Sequence, residues 1–225
     1  MKKITFILKK LHLIIFLLCI FCIGCTNKNS NCIYQPGREW IFDAYFYNEN
    51  KELTNNFEVK MKVVKFNSRF LFFWRKQKGL NYEYCGIKQE TTIRENKNYI
   101  SFFSPRLGNF DFTSILPSPT ISLPPDNISK STIKSNDKGM SDDTNFANLI
   151  FTQEIKQNNE TEYFEYNGKQ LLCYKVEGLN TNYVELFGQH KVSYFFNDRF
   201  GFVRFLYEKP DGSIVEMRLK KTNFD

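Results

Sequence analysis

The chain has 225 residues, 31 basic against 24 acidic, and 17 % aromatic residues, mostly Phe and Tyr. Four basic residues (Lys2, Lys3, Lys9, Lys10) fall in the first 25, so the remainder holds 27 basic against 24 acidic residues, a net +3. Interspersed charge of that size is a solvated surface and excludes the electrostatic footprint of a nucleic-acid binder. The aromatic content favours strands over helices, and about 200 residues beyond the first 25 suit one domain or two small ones, with one domain the preferred reading.

The four lysines make a basic start with no acid, and Leu11 to Gly24 is a 14-residue stretch interrupted only by His12. As a helix that stretch would span about 21 Å, short of the roughly 30 Å hydrocarbon core. This favours a cleaved export signal over a permanent membrane helix. Its end, Cys22-Ile23-Gly24-Cys25, resembles the bacterial lipobox, a short apolar stretch with a small residue just before an acylated cysteine. Ile23, Gly24 and Cys25 match, while Cys22 stands where the lipobox usually has Leu. Cys19 and Cys22 are preceded by Leu18 and Phe21, where a small residue is needed. The resemblance implies that residues 1–24 are a lipoprotein signal peptide. It also implies that Cys25 carries acyl chains, palmitate among them, and that 25–37 form the lipidated tether. At about 0.8 kcal/mol per buried methylene, several chains hold the protein durably on a membrane. Thr26 to Asn31 contain neither an Asp nor an acidic cluster.

The β-rich domain is expected over 38–225, as two blocks around a loop-like centre. In the first block, from about Arg38 to Ser104, Trp40, Phe42, Ala44 and Phe46 alternate with Ile41, Asp43, Tyr45 and Tyr47. Phe57, Val59, Met61 and Val63 alternate with Glu58, Lys60 and Lys62. Period two places one set on a core face. Asn48 to Asn56 is a turn-rich hairpin loop, Phe70 to Trp74 a continuous apolar run, and Glu95 to Asn98 a turn. Ser114 to Pro125 carries four prolines in 12 residues. Proline removes ladder donors, so this reads as an extended connector. Residues 126–145, rich in Ser, Asn, Asp and Lys, are expected to be a mobile loop, with any helix at Asn145 to Gln157.

In the second block, from about Phe146 to Leu219, Asn167-Gly168 between Tyr163–Tyr166 and Leu171–Val176 is a hairpin signal for a type I′ turn. His190–Phe196, Gly201–Glu208 and Ser213–Leu219 form a meander whose last turn is Lys209-Pro210-Asp211-Gly212. Val203, Phe205 and Tyr207 are expected to share a core with Val215, Met217 and Leu219, leaving Glu216, Arg218 and Lys220 in water. About ten short strands predict a mainly β fold, an antiparallel barrel, half-barrel or sandwich with a long central loop.

The leader, the Pro36-Gly-Arg-Glu-Trp40 strand start, the Pro-rich centre and the closing Tyr194–Val203 meander together resemble uncharacterised envelope lipoproteins of Gram-negative bacteria. Leu172 to Leu219 is the most similar part. The resemblance implies a membrane-anchored envelope protein, at the outer membrane. Some such proteins resemble periplasmic lipoprotein-carrier half-barrels, an analogy of fold that does not carry function.

Chemistry is thinly signalled. Beyond the leader there is one histidine, His190, at the start of an alternating strand, and the reading is a surface strand residue rather than a base. One histidine and the scattered Cys32, Cys85 and Cys173 offer no zinc spacing. At most one disulfide forms among the three, and all three thiols reduced is an equal alternative. Asp137, Asp142 and Asp143 lack the calcium-loop order, and Gly178, Gly188 and Gly201 form no phosphate-binding cluster. Glu83, Glu90 and Glu95 read as strand-surface and turn charges unless folding brings two of them within catalytic range. No cofactor and no metal is expected.

The remaining signal is adjacent bulky residues: Phe70, Phe72, Phe73 and Trp74, with Phe102-Phe103 and Phe195-Phe196. Neighbours along a strand face opposite ways, so both faces carry apolar mass. Core packing accounts for this, and so does a second apolar layer such as a ligand cavity or a partner interface. The expectation is a non-enzymatic, lipid-anchored binding or accessory module for an apolar ligand or an envelope protein. A carboxylate hydrolase acting on envelope glycans and a surface adhesin are the alternatives.

Overall fold

The period-two segments assemble into one antiparallel sheet of 12 strands. The computed structural model describes residues 32–70, 73–126, 128–136 and 150–225, and the side chains among them except 66–77 and 133–136. The strands are β1 (Glu39–Tyr47), β2 (Leu53–Phe70), β3 (Phe73–Tyr84), β4 (Ile87–Glu95), β5 (Tyr99–Phe102), β6 (Thr120–Ser122), β7 (Ser129–Asn136), β8 (Ile150–Tyr166), β9 (Lys169–Asn180), β10 (Lys191–Asn197), β11 (Gly201–Glu208) and β12 (Ile214–Thr222). Their order is β6-β5-β4-β3-β2-β1-β12-β11-β10-β9-β8-β7. Each strand pairs with its neighbours in sequence except β6 and β7, and β1 also pairs with β12, from Trp40↔Thr222 to Tyr47↔Ile214. The result is a nearly closed, barrel-shaped sheet whose seam lies between β6 and β7.

The alternation expected in β1, β2, β11 and β12 is what faces the core. Trp40, Phe42, Ala44, Val59, Met61, Val203 and Tyr207 are all fully buried. The ladder pairs Phe205 with Met217 and Tyr207 with Val215. Glu216 departs from its expected exposure. It lies on the outer face but is buried, because Arg204 Nε donates to its Oε1 at 2.6 Å and Arg218 flanks it at 3.8 Å.

Turn chemistry is local and legible. Asn167 and Gly168 take φ of 51° and 69°, the two positive angles of a type I′ turn between Tyr166 and Lys169. Asn96 Oδ1 caps its own turn by accepting from the Asn98 and Tyr99 amides at 2.8 and 3.0 Å. The β1–β2 turn is tighter than expected, because pairing resumes at Tyr47↔Leu53. Asn48 Oδ1 and the Glu52 amide close it at 2.9 Å.

Two expectations at the centre are corrected. Ser129–Asn136 is a strand rather than part of a mobile loop, held along its length by β8. The helix expected over Asn145–Gln157 is strand from Ile150 onward. Phe151, Gln153, Ile155 and Gln157 of β8 are buried while their neighbours are partly or fully exposed. Two of those four inward residues are glutamines, which erased the hydrophobic alternation from the sequence.

At the seam a side chain replaces the missing ladder. The Ser122 amide of β6 donates to Gln157 Oε1 at 2.8 Å. Gln157 Nε2 donates to the Ser122 and Pro125 carbonyls at 3.2 and 2.9 Å. A register shift in the β8–β9 ladder just beyond Gln157 leaves this amide facing β6. A primary amide presents the same donor and acceptor as a peptide, so it pairs with Ser122 as a strand would.

No helix among the described residues is long and apolar enough to cross a membrane. The sheet keeps its apolar side inward and Lys60, Lys62 and Lys220 on its outer side, the reverse of a lipid-facing barrel.

Candidate functional site

The concave side of the sheet is occupied by the chain's own central segment, residues 103–122. Its prolines prevent it from joining the sheet as a long strand. The segment instead forms a 3₁₀ helix at Gly108–Ile115 and lies across the interior, burying Phe110, Leu116 and Ile121. Phe110 meets Phe46, Phe57 and Tyr84, with ring centroids 5.2 to 6.0 Å apart.

Four tyrosines from opposite walls hold this segment. Tyr82 and Tyr84 of β3 donate to the Phe103 and Leu107 carbonyls at 2.8 and 3.0 Å. Tyr207 of β11 donates to Ser104 Oγ at 2.9 Å, and the Tyr194 hydroxyl of β10 donates to the Pro117 carbonyl. The segment thereby satisfies polar backbone that burial would otherwise leave unpaired. Burial pushes the Tyr82, Tyr194 and Tyr207 phenols well above their ordinary range, so they remain neutral donors. A fifth phenol, Tyr34, is fully buried and accepts from the Phe202 amide at 3.0 Å.

Each pair of adjacent aromatics has an arginine against one member. Phe102, Phe195 and Phe196 are buried in the core cluster, whereas Phe103 is exposed. Arg106 lies 4.2 Å over the Phe103 ring, and Arg204 lies 4.8 Å over Phe195. On β10 the adjacent bulky residues are therefore core packing with an arginine stacked on one ring. The side chains of Phe70, Phe72, Phe73 and Trp74 lie outside those described.

Shallow grooves mark the sheet surface among the described residues. One of about 420 Å³ is lined by Lys78, Thr92, Arg94, Glu95 and Tyr99. Another of about 320 Å³ surrounds Lys220, Asp43 and Glu58. A third of about 280 Å³ crosses β8 to β11 between Glu154, Glu177, Lys191 and Glu208. Their acids and bases are interleaved: Lys220 Nζ sits 3.1 Å from Asp43 and 2.6 Å from Glu58, and Lys175 pairs with Glu177 at 2.7 Å.

The titratable residues singled out in the sequence are dispersed into structural roles. Glu95 latches the incoming chain. Its carboxylate accepts from the Ile33 and Tyr34 amides, at 2.7 and 3.3 Å, and pairs with Lys78 at 2.8 Å. Glu83 pairs with exposed Lys88 at 3.8 Å, and Glu90 sits opposite Asn81 in the β3–β4 ladder. His190 is buried rather than on the surface. Its ring stacks against Phe112 at 6.4 Å, and Asn180 Oδ1 accepts from its amide at 2.7 Å. Burial holds its pKa below the ordinary histidine value, with the Lys209 charge adding to the effect.

Cys32, Cys85 and Cys173 are free thiols. Burial, then the Glu162 charge, pushes the Cys173 thiol up to about 12, which keeps it protonated and unreactive. No group of three or more metal-ligating side chains occurs among the described residues. Gly178, singled out for its residue type, serves packing, because Pro117 seats against its bare Cα. Cys25, Asp137, Asp142 and Asp143 lie outside the described residues.

No family model and no curated protein matches the sequence. Solved structures do. A protein of Bacteroides fragilis NCTC 9343, described as exported and as having a YmcC-like fold, is 12% identical. The match covers 85% of this chain and 100% of that one, with a TM-score of 0.43. A protein of Parabacteroides distasonis ATCC 8503, described as a lipoprotein, is 11% identical over 84% of this chain and 96% of its own, with a TM-score of 0.48.

Proposed function

We propose that this chain is a lipid-anchored protein of the cell envelope, at the outer membrane of a Gram-negative cell. Its β domain would act as a non-enzymatic binding or accessory module. The observation that carries the anchoring is the leader: four lysines, a stretch too short to span a bilayer, and Ile23-Gly24-Cys25 at its end. For the domain, the supporting observation is that its interior is filled by residues 103–122, tied by hydroxyls from both walls. An apolar ligand would have to displace Phe110 and break those hydrogen bonds. An envelope partner has only to meet the outer face, where the grooves and stacked arginines lie.

The test is metabolic labelling of cells with a radioactive fatty acid. Label is expected on the wild-type protein and absent from Cys25→Ser. Equal labelling of both would overturn the assignment. Crosslinking in intact cells then reports the second half. A discrete adduct through residues of the outer face supports the partner reading, whereas lipid extracted in stoichiometric amount from purified protein would replace it with an interior ligand.

A further inference from the structure

Inward-facing polar side chains collect at one end of the barrel. Gln153 of β8 stands opposite Asn180 of β9. Asn180 in turn meets His190, the residue that leads into β10. The Asn180 amide donates to the His190 carbonyl at 3.4 Å, and the His190 amide donates to Asn180 Oδ1 at 2.7 Å. The three thus form one row across three neighbouring strands, and their exposures are only 2%, 0% and 7%. The row lies at the end where β1 finishes, because the ladders run from Leu179↔Lys191 through Lys191↔Glu208 and Glu208↔Ile214 to Tyr47.

Its surroundings are aromatic. Phe112 stacks on the His190 ring. Phe151, two residues before Gln153, packs against Tyr183 and Phe187 with ring centroids 5.6 and 5.8 Å away. Amides and an imidazole in such a place need partners.

The chain supplies partners for Asn180 but not for its neighbours. Asn180 Oδ1 takes the His190 amide, and Asn180 Nδ2 donates to the Gly188 carbonyl at 3.1 Å. Gln153 Nε2 and His190 Nδ1 are both shielded from solvent and make no hydrogen bond. The Gly188 carbonyl favours the protonated ring, yet it makes no hydrogen bond to Nδ1. Buried polar atoms are nearly always paired, with protein or with a bound molecule.

The two atoms select their partner. Gln153 Nε2 only donates, so the partner must accept, which rules out an ammonium group. Burial and the Lys209 charge hold the His190 pKa below its ordinary value, against the Gly188 carbonyl and the Asp211 charge, so at pH 7 the ring is neutral. Nδ1 of a neutral ring accepts or donates according to tautomer. A hydroxyl meets either case, whereas a carboxylate cannot donate. Two strand spacings of about 4.8 Å separate the Gln153 and His190 backbones by about 10 Å. Two side chains and one oxygen at hydrogen-bond distance span that gap.

We propose that the Gln153–Asn180–His190 row is a binding site for one hydroxyl group, which accepts from Gln153 Nε2 and bonds to His190 Nδ1. The hydroxyl belongs either to an internal water or to a small polyol.

Nuclear magnetic resonance on the full chain, isotope-labelled and purified in detergent, tests this. The Gln153 side-chain amide protons are expected to show a through-space contact with a proton that is not the protein's. Contact with the water resonance identifies water. Contact with carbon-bound protons of an added polyol, glycerol being the probe, identifies a ligand hydroxyl. Absence of both contacts in the wild-type protein overturns the site. Gln153→Met removes the donor and keeps the bulk, so the His190 Nδ1 resonance is expected to shift. A folded Gln153→Met protein with that resonance unmoved overturns the shared hydroxyl. If the variant does not fold, the wild-type contacts still decide.

Discussion

Gly178 of β9 and Pro117 of the central segment meet with no room for a methyl group between them. A Cβ built on Gly178 collides with Pro117 Cγ and stands 3.2 Å from Val192 Cγ1 and 3.3 Å from the Glu154 carbonyl oxygen. Gly178 does not have a left-handed φ, so space rather than backbone conformation selects glycine here.

Gly178→Ala should therefore push the central segment off β9. Overpacking of this kind typically destabilises by about 1–3 kcal/mol, read as a shift in the midpoint of denaturant unfolding. Pro117→Ala in the same background is expected to recover part of the loss. A Gly178→Ala protein as stable as wild type would show that Pro117 is not seated as described.

The buried phenols predict an alkaline limit. Tyr34, Tyr82, Tyr194 and Tyr207 have folded pKa values above the ordinary 10.0, chiefly through burial. The folded state thus holds protons that the unfolded state releases. Their contribution to stability is complete below about pH 10 and is lost as the pH rises toward the raised folded values. Ultraviolet difference titration should show a group of tyrosines that ionise only together with loss of near-ultraviolet circular dichroism. Smooth ionisation of all tyrosines in a folded protein would contradict this.

His190 sets a limit on the acid side. Its folded pKa lies below the ordinary 6.5, so its contribution is present above that value and lost as the pH falls through the folded one. The chain's other histidine is His12, so a chain cleaved before Cys25 would show a single histidine resonance, whose titration midpoint should fall below 6.5. His190→Phe should flatten the stability profile in that window. A midpoint at or above 6.5 would place the ring in solvent instead.

Gln157→Leu should open the seam. It removes the partner of the Ser122 amide and carbonyl while keeping side-chain bulk. Buried groups left unpaired cost about 1–3 kcal/mol each. The nearest readout is hydrogen exchange at Ser122, expected to rise well above that of the β1–β12 ladder. Unchanged protection there would mean that β6 is held by something other than this amide.

The parts of the fold legible in the sequence were those governed by neighbours in the chain. Trp40, Phe42 and Ala44 alternate visibly, and Asn167-Gly168 declares its own turn. Hidden features depended on distant partners. β8 looked unlike a strand because Gln153 and Gln157 occupy inward positions, the polarity of Gln157 being answered by groups far away in sequence. Ser114–Pro125, expected as an extended connector, instead ends the 3₁₀ helix at Ile115 and joins the sheet over Thr120–Ser122. The central segment's place inside the barrel follows from tyrosine hydroxyls on β3, β10 and β11, and a tyrosine that will donate to a buried carbonyl looks like any other. His190 was misplaced for the related reason that Phe112, the ring covering it, belongs to that same segment. On β10, Phe195 and Phe196 are both buried, with Arg204 stacked on Phe195, which accounts for those adjacent bulky residues without a cavity.

The pairing of β1 with β12 also dictates when the barrel can form. These two strands come from opposite ends of the described domain, so a polypeptide that emerges from its N-terminal end presents β1 before its partner follows. Until β12 arrives, β1 presents an open edge, Trp40 and Phe42 have only half their packing, and no amount of local folding can close the ring. Such long-range closure is slow, and an unpaired edge invites strand addition by other chains. The interval between emergence of the first strand and the last is thus the period in which this protein most needs guarding from its own kind.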